Sequence, residues 1–221
     1  MDWTRYAIYW LPGGDLGRAG AEWLGWDARA GAPCGAGRED AATPRRYGFH
    51  ATLKPPFRLA PGRAAEGVLS AARDLAARTA PVGIGRLSVA RLGNFLALVP
   101  ETNPTGLAAA LVEGLDDFRA PPAEAELARR RASGLDEAEE RLLARWGYPY
   151  VMERFRMHLT LTGPTPGSGA AEDAQARFDP LAGPHRIEAV SLMGEDGEGR
   201  FHLIEDLPLG RDSAREAART A

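Results

Sequence analysis

Lysine is almost absent from this 221-residue chain. Of its 27 basic side chains one, Lys54, is lysine and the other 26 are arginine. With 30 acidic residues the net charge is −3. That balance gives no bulk attraction for nucleic acid. Cysteine is equally scarce. Cys34 stands alone in "GAPCGAG", which excludes an internal disulfide and any cysteine-based zinc spacing. No apolar run approaches the roughly 20 residues that span a bilayer. "MDWTRYAIYWLP" lacks the basic start, long apolar stretch and small-residue cleavage site of a signal peptide. We therefore expect a cytoplasmic protein. What remains is ordinary for a soluble domain: 44% hydrophobic and 26% charged residues. The length suffices for one large domain or two small ones.

"RYAIYWLP" (5–12) reads as a strand stopped by Pro12, and 13–46 as loop with at most one helical turn near "AGAEWLGW". Residues 48–54 alternate, so Gly48, His50, Thr52 and Lys54 fall on one face, and "PP" should end the strand. Helical spacing marks 64–78. "GIGRLSVARLG" and "NFLALVP" suggest a hairpin about Gly93-Asn94. Asn103 and Pro104 suit the N-cap and first helical position of a helix carrying Leu107, Leu111, Leu115 and Phe118. Asp136 with Glu139 makes a capping box before Leu142 and Leu143, and Gly147 ends that helix. Residues 153–162 alternate again, with Arg154, Arg156, His158, Thr160 and Thr162 on one face. A short helix near 170–178 and a last hairpin, "RIEAVSLMG" with "RFHLIEDLPL", complete the chain. The tail 211–221 has no apolar anchor and should fray.

This order repeats itself. "GFHATLKPP" and "RMHLTLTGP" match in pattern, 108 residues apart. A two-copy repeat implies two related lobes. Each His-x-Thr aims an imidazole and a hydroxyl the same way, about 7 Å apart along the strand. One such pair is an ordinary strand feature. Two of them, brought to one cleft, offer a general base and a general acid together with hydroxyl donors. That set suits in-line displacement at phosphorus, with threonine hydroxyls donating to oxygens whose charge grows.

"HATL" at 50–53 and "HLTL" at 158–161 resemble the two-histidine (2H) phosphoesterase superfamily. "RYGFHATLKPPF" and "RWGYPYVMERFRMHLTLTGP" resemble its phosphonate-operon branch. The resemblance reaches to about residue 210. It implies an α+β fold, two pseudo-symmetric lobes with antiparallel sheets and outer helices around a central cleft. We take 1–210 as one bilobal domain, with lobes of about 1–120 and 121–210. It further implies a phosphoric diester hydrolase that opens small nucleotide or ribose cyclic phosphates, with no metal and no cofactor. His50 and His158 would be catalytic, and Thr52 and Thr160 would hold the phosphate.

Other residues join by position. Lys54 extends the His50 face as a compact cation, and Arg156 extends the His158 face as a fork for phosphate. Tyr47 offers a stacking ring beside the first motif, as Tyr6, Tyr148 and Tyr150 do elsewhere. His185 and His202 lack the threonine and are expected in ordinary sheet or surface roles. The expected partner is a small cyclic phosphodiester, with no obligate protein partner and no membrane. Two other readings stand beside this one. An enzyme acting on RNA ends, as 2′,3′-cyclic phosphodiesterase or ligase, predicts a basic groove and steep salt dependence. A non-catalytic phosphometabolite-binding module predicts tight binding without turnover.

Overall fold

The computed structural model describes residues 3–210. The expected fraying of 211–221 lies outside them.

The first strand, β1 (Arg5–Trp10), is followed by an eleven-residue helix, α1 (Gly14–Leu24), and the short α2 (Ala42–Arg45). Helix α1 replaces the loop expected at 13–46. Its glycines, poor helix formers, hide a face of Leu16, Ala19, Trp23 and Leu24 at helical spacing. Gly20 shows why they are there. A Cβ on it would stand 2.0 Å from the Phe49 ring, so glycine lets α1 lie against the residue before His50.

Strand β2 (Ala51–Phe57) precedes α3 (Ala65–Ala77), β3 (Val82–Gly85) and the hairpin of β4 (Leu87–Leu92) and β5 (Phe95–Pro100). Three helices follow: α4 (Thr105–Gly114), α5 (Glu124–Arg131) and α6 (Glu137–Trp146). The capping box of α6 forms as expected, Glu139 N–H donating to Asp136 and the Glu139 side chain accepting from Asp136 N–H. The second motif strand, β6, is only Leu159–Thr160. Then come α7 (Ala170–Phe178), β7 (His185–Ile187), β8 (Ala189–Glu195) and β9 (Phe201–Pro208).

Seven strands join in the order β4-β5-β6-β2-β1-β8-β9, every pairing antiparallel, and β3 with β7 makes a small separate sheet. Helices α3, α4 and α7 pack against the large sheet. Val68, Leu75, Leu107, Leu111 and Phe178 meet Ile8, Leu53, Leu98, Leu159 and Leu192 in its main core. Each such side chain, fully buried, contributes about 1.5–3 kcal/mol before entropy is counted.

The motif strands β2 and β6 sit side by side at the centre. Outward from that pair lie β1, β8 and β9 on one side and β5 and β4 on the other. The halves of the sheet are therefore not the consecutive segments 1–120 and 121–210. Strands β8 and β9 complete the half that holds β1, and Arg5 pairs with Glu195 across 190 residues. The expected lobes share one continuous sheet.

Candidate active site

Ala51 of β2 lies opposite Leu159 of β6. In an antiparallel ladder that register sets His50 across from Thr160 and Thr52 across from His158. Ala51 and Leu159 are fully buried on the core side, so the four polar side chains point to the other face. Directly opposed Cβ atoms stand about 4.5–5.5 Å apart and diagonal ones about 7–8 Å. The two imidazoles occupy one diagonal and the two hydroxyls the other.

Both histidines are oriented by the same device. His50 Nδ1–H donates to the carbonyl of Gly48 at 2.9 Å, and His158 Nδ1–H donates to that of Arg156 at 2.8 Å. A carbonyl can only accept, so each bond places the proton on Nδ1 and leaves the lone pair of the neutral ring on Nε2. His50 Nε2 accepts from the Thr52 hydroxyl at 3.1 Å. Gly48 reaches this geometry at φ 74, with Ala28 so close that a Cβ would meet it at 2.6 Å.

The surroundings separate the two rings. His50 stacks on Tyr9, ring centroids 3.8 Å apart, and Tyr47 lies 6.0 Å away. Burial pushes the His50 pKa down to about 4, against the bond to Gly48 and with a smaller push from His158. His50 is therefore neutral at pH 7. His158 stands beside Phe95 at 5.7 Å.

Asn103 takes a role that its expected place as N-cap concealed. The cap position of α4 is Pro104. Asn103 instead braces the approach to His158: its Nδ2 donates to Phe155 carbonyl at 2.7 Å, and its Oδ1 accepts from Met157 N–H at 2.9 Å. Residues 155–158 lie before the two-residue β6, outside the ladder, so this amide stands in for a neighbouring strand. An Asn-Pro before a helix was the available signal, and it pointed to capping.

A cavity of about 240 Å³ opens beside His50 and Thr160, with Tyr47, Phe95, Pro44 and Pro164 among its walls. Gly163 and Pro164 of its wall begin a loop tied down by Asp40, whose carbonyl accepts from Gly163 N–H and whose Oδ2 accepts from Gly167 N–H. Arg38, paired with Asp40, holds that carboxyl below its usual range.

The structure brings His50, Thr160 and Tyr47 to this cavity, with Thr52 and His158 on the same face. It does not bring Lys54. Tyr9 pairs with Thr52 but Ile8 pairs with Lys54, so β2 carries a one-residue bulge at Leu53. The bulge turns Lys54 to the core face with Ile8. Lys54 is 2% exposed, and its Nζ donates to Val112 carbonyl in the last turn of α4 at 2.9 Å. The cation thus caps a helix C-terminus. Burial lowers its pKa to about 8. Nor does the strand end at "PP". Both prolines lie within β2, where the short β6 leaves them without a neighbour to donate to. Arg156 is exposed and enters the site through its carbonyl; Arg154 lies in a 3₁₀ turn at 152–154 and pairs with Asp136. His185 bonds to Leu181 carbonyl and His202 to Asp196.

The family described as "Protein of unknown function (DUF1045)" matches residues 52–202. The chain belongs to this family. The span matched in this DUF1045 protein includes Thr52, Asn103, His158 and Thr160, and starts two residues after His50. The chain is similar to proteins named ribose 1,5-bisphosphate phosphokinase PhnN. It is 42% identical over 174 residues to that of Janthinobacterium sp. (strain Marseille), covering 72% of this chain and 38% of that protein. It is 40% identical over 170 residues to that of Laribacter hongkongensis (strain HLHK9), covering 72% and 40%. The DUF1045 chain thus spans about two-fifths of these curated relatives. Among solved structures it is similar to TT0787 of Thermus thermophilus, at 15% identity and TM-score 0.48, covering 94% of this chain and 99% of that one. It is also similar to E. coli LigT complexed with NADP+, at 17% identity and TM-score 0.44, covering 95% and 99%.

Among the described residues of the DUF1045 chain no helix is long and apolar enough to cross a membrane. No group of three His, Cys, Asp or Glu side chains gathers there as a metal site would.

Proposed function

We propose that this DUF1045 protein is a cyclic phosphodiesterase of the two-histidine type, opening a small nucleotide or ribose cyclic phosphate. The observation that carries the reading is the β2–β6 register, which sets each histidine across from the other motif's threonine, with both Nδ1 atoms held by the carbonyl two residues upstream.

The neutral His50 is the base. Its Nε2 takes a proton from water as the water oxygen forms its bond to phosphorus. The bond from phosphorus to the departing ring oxygen breaks in line, and the imidazolium of His158 gives its Nε2 proton to that oxygen. With ligand bound, the Thr52 hydroxyl turns from His50 Nε2 to the phosphate, and Thr52 and Thr160 donate to the non-bridging oxygens, where charge accumulates. The product is a phosphomonoester, and the histidines return to their starting states by exchanging one proton through solvent.

The curated relatives' name concerns a phosphorylated ribose, which agrees with a ligand that carries its phosphate on ribose. The kinase in that name finds no P-loop here. A P-loop needs lysine after a glycine-rich turn, and the one lysine follows "HATL" in a buried strand position.

The test is turnover of 2′,3′-cyclic nucleotides and ribosyl 1,2-cyclic phosphate in the presence of a chelator. We expect His50→Ala and His158→Ala each to lower kcat by about 10²–10⁴ with the melting temperature little changed. Activity that survives both changes, or that depends on added metal, contradicts the mechanism.

A further inference from the structure

We propose that the cavity beside His50 and Thr160 seats a flat, uncharged ring of the substrate. The preferred substrate is then a cyclic phosphate of a nucleoside, not of a bare or further phosphorylated sugar. This rests on the hydrolase reading and narrows it.

The walls carry the argument. No Asp, Glu, Lys or Arg lines the cavity. A second phosphate placed there would lose its water without gaining a counter-charge, which is costly. The walls are instead rich in rings: Tyr47, Phe95, Pro44 and Pro164. Tyr47 lies 6.0 Å from the His50 imidazole and Phe95 5.7 Å from that of His158, so both aromatics stand next to the reacting groups. The polar capacity of the walls is partly spent. Thr162 Oγ1 already donates to Gly163 carbonyl and accepts from Leu96 N–H. A volume of about 240 Å³ is below the roughly 300–1,000 Å³ of pockets that enclose drug-sized ligands, and suits one ring system. Stacking on an aromatic face is open to every base, so the cavity selects for a base without choosing among them.

The experiment compares kcat/KM for adenosine 2′,3′-cyclic phosphate and methyl riboside 2,3-cyclic phosphate, in wild type, Phe95→Ala and Phe95→Leu. We expect the adenosine ester to lead by about ten- to a hundredfold in wild type. Phe95→Ala should shrink that ratio, chiefly through KM. Phe95→Leu, which keeps apolar bulk and loses the flat face, should fall between. Equal rates in wild type, or a ratio that survives Phe95→Ala, overturns the proposal. If neither ester is turned over, the hydrolase reading falls and calorimetry decides the cavity. Adenosine 2′-monophosphate binding at least tenfold more tightly than ribose 5-phosphate, with the advantage lost in Phe95→Ala, upholds the ring site. Equal affinities sink it.

Discussion

His50, just ahead of β2, and Lys54, within it, lie four residues apart, and burial lowers both basic groups, with different consequences. His50 titrates near 4 in the folded chain and near 6.5 unfolded. Its contribution to stability is whole above about 6.5 and is lost as pH falls toward 4, because the unfolded chain takes up the proton first. Urea unfolding of wild type and His50→Gln at pH 7 and pH 4.5 checks this: wild type should lose more stability over that interval. Equal losses would mean that His50 does not titrate low. Lys54 titrates near 8 folded and 10.5 unfolded, so stability should rise as pH climbs between those values. Lys54→Met should abolish that rise and leave turnover at the wild-type level, since the amine faces α4. A large loss of kcat would return Lys54 to the site. The His-x-Thr alternation was legible because period two holds from 48 to 52. Lys54 was misread because a bulge leaves no mark in residue types, and one extra residue at Leu53 moves everything after it to the other face.

At the scale of elements, β6 is the shortest strand described, and His158 lies just before it. Two residues of ladder do not hold His158 by themselves, and the Asn103 amide supplies the missing backbone partners. Asn103→Ala should cut kcat on the order of 10²-fold with a smaller change in KM, since a misplacement of about 1 Å costs that much. Asn103→Asp keeps the acceptor for Met157 N–H and should recover part of the loss. A change confined to KM would place Asn103 in ligand binding instead. Helix α6 offers a test of its own start. Asp136→Ala removes both the cap on Glu139 N–H and the pairing with Arg154, and should lower the melting temperature by roughly 2–4 °C. The capping box, the hairpins and α3 were readable from local signals. Helix α1 was not, because Gly20 serves close packing on Phe49, Gly17 lies against the Pro12 carbonyl, and Gly14 and Gly25 take positive φ at its ends, whereas local propensity counts them only as breakers.

For the whole molecule, the two motifs meet because strands distant in sequence interleave. The β2–β6 contact joins residues 108 apart, and β1 depends on β8 for its second neighbour. A chain cut after residue 120 leaves β2 without β6 and β1 without β8. The fragment 1–120 alone should show no cooperative unfolding; a cooperative transition would restore the picture of consecutive lobes. The internal repeat announced a shared site but not this exchange, because matching segments reveal similarity and say nothing about which strands pair.

The central claim is that His50 and His158 work as one unit on a single phosphorus. The most direct measurement is kcat on a cyclic phosphate for His50→Ala, His158→Ala and the double variant, all with chelator present. Residues that act together lose most of their effect with the first removal. We predict that the double variant is hardly slower than either single one. Losses that multiply in the double variant would show two independent contributions and contradict the paired acid and base.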